Sequence, residues 1–197
     1  MIYIVRHGQT EWNSLMRLQG RSDNPLSDDG IAQAKNASYR LKDIPFSAVY
    51  SSPLKRAIQT AEILVPNVKP VIDDRLIEMD AGPYDGMDLQ NPNPKVIAFF
   101  KDFMHNPVPE GMETLESVVQ RAGEFLEDKC RTEDDILVST HAIAMKGALE
   151  YMTPESKGSY WAKNIGNCDI YASEVKNGKF SVPVCVDDGK NRWEGAE

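Results

Sequence analysis

The stretch Ile2-Tyr3-Ile4-Val5-Arg6-His7-Gly8-Gln9-Thr10 decides how this chain folds. Residues 2–5 are apolar and partly β-branched, and the run ends abruptly in charge and glycine, as a buried strand ends in a loop. Residues 135–140 repeat the pattern. Ile136, Leu137 and Val138 are continuous, the mark of a strand covered on both faces, and His141 follows as His7 follows the first run. Two of the three histidines therefore stand immediately after predicted buried strands. In an open α/β sheet, groups at the carboxyl ends of parallel strands converge on one crevice.

Outward from these two runs, helical and extended patterns alternate. Ser27 is a predicted N-cap for a helix over 28–42, with Asp28 and Asp29 in its first turn. Residues 48–51 read as a strand, and Pro53 opens a helix at its N1 position that runs to about Leu64. Residues 71–72 and 76–77 are weaker strand predictions. Residues 114–129 place Leu115, Val118, Val119, Ala122, Phe125 and Leu126 on one helical face, and 142–151 form the helix after His141. Asn177-Gly178, between residues 168–175 and 179–186, predicts a hairpin. Pro92, Pro94, Pro107 and Pro109 punctuate residues 83–112, which read as a long excursion with a short helix near 95–104. It is a lid over an active site or a helix packed on the core. The pattern predicts a single α/β domain over 1–197, a three-layer α/β/α sandwich. Its central sheet is mixed and mostly parallel, with a helical insertion near 83–112 and a loose tail at 187–197.

Composition sets the outer limits. The chain has 197 residues, is 41% hydrophobic and 26% charged, and carries a net charge of −8. That balance excludes wholesale disorder. It opposes nonspecific binding to nucleic acid or anionic membrane, so neither is an expected partner. No apolar run approaches the roughly 18 residues of a membrane helix. The N-terminus does not read as a signal peptide. Cys130, Cys168 and Cys185 are too few and too scattered for a disulfide framework or a zinc ribbon, and a cytoplasmic setting fits them. Neither a metal nor another cofactor is expected.

The chemistry follows from four side chains. His7 and His141 end strands, Arg6 precedes His7, and Arg56 lies early in the helix after residues 48–51, near a helix N-terminus suited to anions. Guanidinium groups bind phosphate oxygens bidentately. An imidazole nitrogen can attack phosphorus and carry it as a phosphohistidine. A second imidazole, if protonated, would stabilise the equatorial oxygens. Gly8 lets the backbone approach an anion closely. There is no G-x-x-x-x-G-K-[ST], no G-x-S-x-G and no H-E-x-x-H, and no cysteine is followed six residues later by arginine.

Arg6-His7-Gly8-Gln9-Thr10 resembles the signature of the histidine phosphatase superfamily, in its phosphoglycerate-mutase-like branch. So do Glu11-Trp12-Asn13, Leu18-Gln19-Gly20-Arg21-Ser22-Asp23-Asn24-Pro25-Leu26-Ser27, Ser51-Ser52-Pro53-Leu54-Lys55-Arg56-Ala57, Glu78 with Gly82 and Gly86, and Ser139-Thr140-His141. The resemblance implies that His7 is the nucleophile and that Arg6, Arg56 and His141 hold the phosphoryl oxygens. It implies that Gly8, Thr10, Asn13, Gln19 and Gly20 line the phosphate end of the pocket. Glu78 would be the general acid and then the base, a role nothing else in the sequence points to. Ala142-Ile143 stand where the family often has two glycines, and Gly111-Met112-Glu113-Thr114 resembles, in altered form, its glycine-glutamate-serine segment.

The implied activity is metal-independent hydrolysis of a small phosphate monoester, releasing inorganic phosphate, by a monomer or homodimer. A phosphoglycerate mutase-type isomerase and a non-catalytic phosphate-binding domain are the alternatives. Residues 83–112 carry two lysines against Asp85, Asp88, Asp102 and Glu110, a net of −2, which favours a phosphatase over a mutase. Tyr84, Phe99, Phe100 and Phe103 serve either an apolar leaving group or the core. The ester itself is not legible: sugar phosphates, nucleotides, α-ribazole phosphate and phosphoprotein all fit.

Overall fold

The computed structural model describes residues 1–186; the tail read at 187–197 lies outside the described residues. Among the described residues eight short strands and six α-helices follow one another as β1 (Ile2–Arg6), α1 (Glu11–Ser14), α2 (Asp28–Leu41), β2 (Ala48–Ser51), α3 (Lys55–Leu64), β3 (Val71–Ile72), α4 (Pro94–Lys101), α5 (Leu115–Lys129), β4 (Ile136–Thr140), α6 (Ala142–Met152), β5 (Ile170–Ser173), β6 (Val175–Lys176), β7 (Lys179–Phe180) and β8 (Val184–Cys185). Six strands form one sheet in the order β3-β2-β4-β1-β5-β8. The β1/β4, β2/β4 and β2/β3 pairs are parallel, and β1/β5 and β5/β8 are antiparallel, so the sheet is mixed.

Alternation along the strands divides the core into two layers. Ile2, Ile4, Ile136 and Val138 face α5 and α6, packing with Phe125, Leu126, Met145 and Leu149. Leu137, Val49 and Ile170 face α2 and α3, against Ala34, Ala37, Ala61 and Leu64. This is why Ile136-Leu137-Val138 is apolar without interruption: both faces of β4 are covered. Each of these side chains contributes roughly 1.5–3 kcal/mol by leaving water. Among the described residues no helix is long and apolar enough to cross a membrane.

Several predicted boundaries shift. Pro53 does not sit at N1: Leu54 is the N-cap of α3, and its Lys55 N–H donates to Asp23 Oδ1 at 2.7 Å. That distant carboxylate sets the helix start. Residues 76–77 are not a strand. Asp73 caps a 3₁₀ turn, Asp74–Leu76, and the chain then runs on as irregular backbone. The insertion helix is Pro94–Lys101, capped by Asn93, shorter than 95–104. Asn177 and Gly178 have φ of 51° and 71°, the positive pair a tight hairpin requires, but the hairpin joins only β6 to β7, a separate two-stranded sheet. Phe99 and Phe103 pack with Met79, Val118, Ile143 and Trp161, with Tyr84 and Phe100 against them, so these rings serve the core.

Candidate active site

Strand β1 delivers His7, and strand β4 delivers His141 to its side. The strands pair in parallel with Arg6 opposite Thr140, and the His7 N–H donates to Thr140 O at 2.9 Å. The two rings lie 5.1 Å apart between centroids, inclined at 59°. His7 Nδ1 lies 2.7 Å from Gly8 O. A carbonyl can only accept, so Nδ1 carries the proton and Nε2 keeps its lone pair. Burial, then Arg56 and Arg6, push the His7 pKa well below its ordinary value, so the ring is neutral at pH 7.

Gly8 is required by space. A Cβ there would stand 2.5 Å from Gly30 O, where the first turn of α2 crosses the loop. The Gly8 N–H donates to Thr60 Oγ1 at 3.1 Å, tying the loop to α3. Thr10 is the N-cap of α1: its side chain accepts from the Asn13 N–H, and Asn13 Oδ1 accepts from the Thr10 N–H at 3.1 Å. Thr10 Oγ1 also donates to Gln19 Oε1 at 2.8 Å. Thr10, Asn13 and Gln19 are thus one hydrogen-bonded group beside His7.

Arg56, in the first turn of α3, is fully buried. Its guanidinium donates from Nη2 to Gly20 O at 2.7 Å, from Nη1 to Ser22 O at 2.6 Å and from Nε to His141 Nδ1 at 3.2 Å. Burial pushes its pKa down to about 10, still well above neutrality, so it is a cation. Asp85 braces the same loop, accepting from Gly20 N at 2.9 Å and from Ser22 N at 2.8 Å. His141 Nε2 faces Ser52 Oγ at 2.7 Å. Arginine can only donate, so His141 Nδ1 is the acceptor and the proton sits on Nε2. Burial, then Arg56 and His7, push its pKa well below the ordinary value. The protonated second imidazole of the sequence reading therefore meets a neutral ring, because the guanidinium already occupies Nδ1.

Arg6 reaches across the site: Nη1 donates to Ile165 O at 2.5 Å. Its Nε and Gln19 Nε2 are buried donors with no acceptor among the described residues. Orphaned donors of this kind are rare and costly, which makes both atoms candidates to meet oxygens of a bound anion. Glu78 is 6% exposed. Its carboxylate accepts from Met79 N (2.8 Å), Ala144 N (3.0 Å) and Ile143 N (3.2 Å), at the positive end of α6.

Every predicted site residue thus falls in one region at the carboxyl ends of β1, β2 and β4. Sequence reasoning assigned nothing to Ser52, Thr60 or Asp85, which orient His141, Gly8 and the 20–22 loop. Ser52 stood inside a quoted motif, but its spacing carried no signal of a partner 89 residues away. Among the described residues no group of three or more His, Cys, Asp or Glu side chains is arranged to hold a metal.

Comparison with known proteins agrees with the geometry. The model of the histidine phosphatase superfamily (branch 1) matches residues 2–188. Phosphoserine phosphatase 1 of Hydrogenobacter thermophilus is 31% identical over 186 residues, 89% of this chain and 88% of the relative. A probable phosphoglycerate mutase, GpmB, of Proteus mirabilis is 35% identical over 184 residues, covering 89% of this chain and 85% of the relative. The fold is similar to that of the crystal structure of phosphoserine phosphatase from Entamoeba histolytica in complex with 3-phosphoglyceric acid. The TM-score is 0.82 at 24% identity, over 95% of this chain and 97% of the other.

Proposed function

The chain belongs to the histidine phosphatase superfamily, and from that premise we propose that it hydrolyses small phosphate monoesters through a phosphohistidine on His7, with Glu78 as general acid and then base. The observation that carries the reading is the neutral His7 ring. Its Nδ1–H is engaged by Gly8 O at 2.7 Å, which leaves the Nε2 lone pair available as the nucleophile.

Nε2 attacks phosphorus as the bond to the ester oxygen breaks, and Glu78 gives its proton to that leaving oxygen. Water then attacks the phosphohistidine, Glu78 takes the proton, and the N–P bond breaks to release inorganic phosphate and neutral His7. Arg6, Arg56, Gln19 and the His141 Nε2–H are the donors for the phosphoryl oxygens, His141 exchanging Ser52 Oγ for the ligand. Asn13, Thr10, Gly8 and Gly20 shape the loops that present them. Preorganised donors of this kind are each worth roughly 2.7–4 kcal/mol in the transition state. Monoester hydrolysis needs them, since accelerations reach ~10²¹. The reading needs no metal ion, because the guanidinium groups supply the positive charge.

The relatives' names direct the substrate search toward small phosphorylated metabolites, phosphoserine first. Rapid quenching of a ³²P-ester reaction into base should trap an acid-labile label on the peptide holding His7. Turnover by His7→Ala at near the parent rate would sink the reading. A second reading, phosphoglycerate isomerisation, is favoured by the 35% identity to the probable mutase and opposed by the net −2 of residues 83–112. Formation of 2-phosphoglycerate from 3-phosphoglycerate with a bisphosphate primer would establish it.

A further inference from the structure

We propose that Glu113 and Arg121 are positioning residues that together set where the Glu78 carboxylate meets the ester; the proposal rests on the acid role given to Glu78 above.

Glu78 lies on irregular backbone between the 3₁₀ turns Asp74–Leu76 and Gly82–Tyr84, outside any strand. No sheet ladder holds it, so its neighbours' peptide groups must find other partners. Those of Arg75, Ile77 and Asp80 find one ion pair. Arg121 Nη1 donates to Arg75 O at 2.8 Å and to Ile77 O at 2.5 Å. The other edge of the same guanidinium forks onto Glu113, Nε to Oε1 at 2.8 Å and Nη2 to Oε2 at 3.1 Å. Glu113 Oε2 in turn accepts from the Asp80 N–H at 3.0 Å, and the Glu113 N–H donates to Asp80 O at 2.9 Å. The pair therefore grips the chain one residue before Glu78 and two residues after it. Arg21 adds a third hold, Nε to Glu78 O at 3.4 Å, while its Nη2 lies 3.4 Å from Glu113 Oε2.

The grip is stiff for physical reasons. The side chains of Arg121 and Glu113 are only 14% and 10% exposed, so water screens them weakly. A bidentate fork fixes orientation as well as distance. Burial alone would raise the Glu113 pKa, but Arg121, the Asp80 N–H and Ser117 hold it below the ordinary value, so the pair stays charged at neutral pH. Glu113 also accepts from Ser117 Oγ at 2.8 Å, which anchors the pair to the first turn of α5. The acid is thus mounted on a helix that carries no other group of the site.

Displacing a catalytic group by an ångström costs about 100-fold. A displaced acid fails selectively: an alkyl alkoxide needs its proton, whereas p-nitrophenolate leaves without one. Glu113→Gln and Arg121→Lys should therefore cut kcat/KM, which excludes the shared hydrolysis of the phosphohistidine, by about 100-fold on phosphoserine and by about 3-fold or less on p-nitrophenyl phosphate. Either change added to Glu78→Gln should lower kcat/KM on phosphoserine little further. Equal losses on both esters, or losses that multiply with those of Glu78→Gln, would overturn the proposal in favour of plain scaffolding. Glu78→Gln alone reports on the acid role itself: an equal response to the two esters would remove that role and the positioning with it. If Arg121→Lys does not fold, Glu113→Gln, which keeps an acceptor for the Asp80 N–H, gives the same ratio.

Discussion

Arg56 Nε donates to His141 Nδ1 at 3.2 Å, and this one contact fixes the tautomer of the second ring. With Nδ1 occupied, His141 keeps its proton on Nε2, against Ser52 Oγ at 2.7 Å. The ring is a neutral donor rather than a cation, and the formal positive charge of the pocket comes from the guanidinium groups.

Arg56→Lys should therefore do more than shift a charge. An ammonium cannot reach Gly20 O, Ser22 O and His141 Nδ1 together, so buried acceptors are left without donors. We expect a loss of about 2 kcal/mol, read as a fall in Tm of about 4–8 °C for a chain of this length. We also expect kcat/KM to fall by about 10²–10³. A variant within a degree of the parent Tm would contradict the account of the 20–22 loop.

Acid should weaken the fold before it reaches the carboxylates. His7 and His141 are held well below 6.5, chiefly by burial. Below pH 6.5 the unfolded chain binds protons that the folded chain refuses, so stability falls as pH falls, by about 1.4 kcal/mol per unit for each ring. Asp73, held low by Arg75, loses its contribution only in more acid solution. Urea midpoints between pH 7.5 and 5 should show this slope, and His141→Gln should reduce it by about half.

Gly30 is remote from the chemistry in sequence and adjacent to it in space. A Cβ at Gly30 would stand 2.0 Å from Gln9 O and 2.8 Å from Gln9 N, both backbone atoms that cannot rotate away. Gly30→Ala should cost about 3 kcal/mol, the upper end of overpacking, and lower activity by moving the loop after His7. Gly166→Ala, whose Cβ would meet only the Asp169 side chain at 3.2 Å, is the control. Chemical denaturation of the two variants should separate them clearly.

Thr140 holds the other end of the Glu78 segment. Its Oγ1–H donates to Leu76 O at 2.7 Å, and both residues are buried. Thr140→Val keeps the shape and leaves that carbonyl without this donor, at a cost of about 1–3 kcal/mol. Thr140→Ser keeps the hydroxyl and should recover most of the loss. Equal unfolding midpoints for the valine and serine variants would rule out the bond as a support.

Much of this was legible in the sequence, for identifiable reasons. Residues 2–5 and 136–138 are apolar because a two-sided sheet covers them, and Ser27 caps α2 through its own backbone neighbours, accepting from the Gly30 N–H at 3.1 Å. Such signals are local. His7 and His141 followed from the strand ends, and Arg56 from its place early in a helix. What stayed hidden was set by tertiary partners. The start of α3 depends on Asp23, 32 residues before Lys55. Residues 76–77 resemble a strand by composition, but Arg121 and Thr140 take their carbonyls. Glu78 sits on backbone with no period, so only the family resemblance pointed to it. The altered segment at 111–114 gave no hint that Glu113 is the partner of Arg121 across eight residues.

The pairing of Arg6 with Thr140 places His7 and His141 on neighbouring strands at the same height. Strands in a sheet lie about 4.8 Å apart, so the lattice of the sheet itself gauges the gap between the rings. A slip of one residue between β1 and β4 would turn one ring to the opposite layer while leaving a compact, hydrogen-bonded sheet. Recovery of turnover during refolding is therefore an assay of strand alignment, able to distinguish a correctly threaded molecule from a misthreaded one that circular dichroism would score as equally folded.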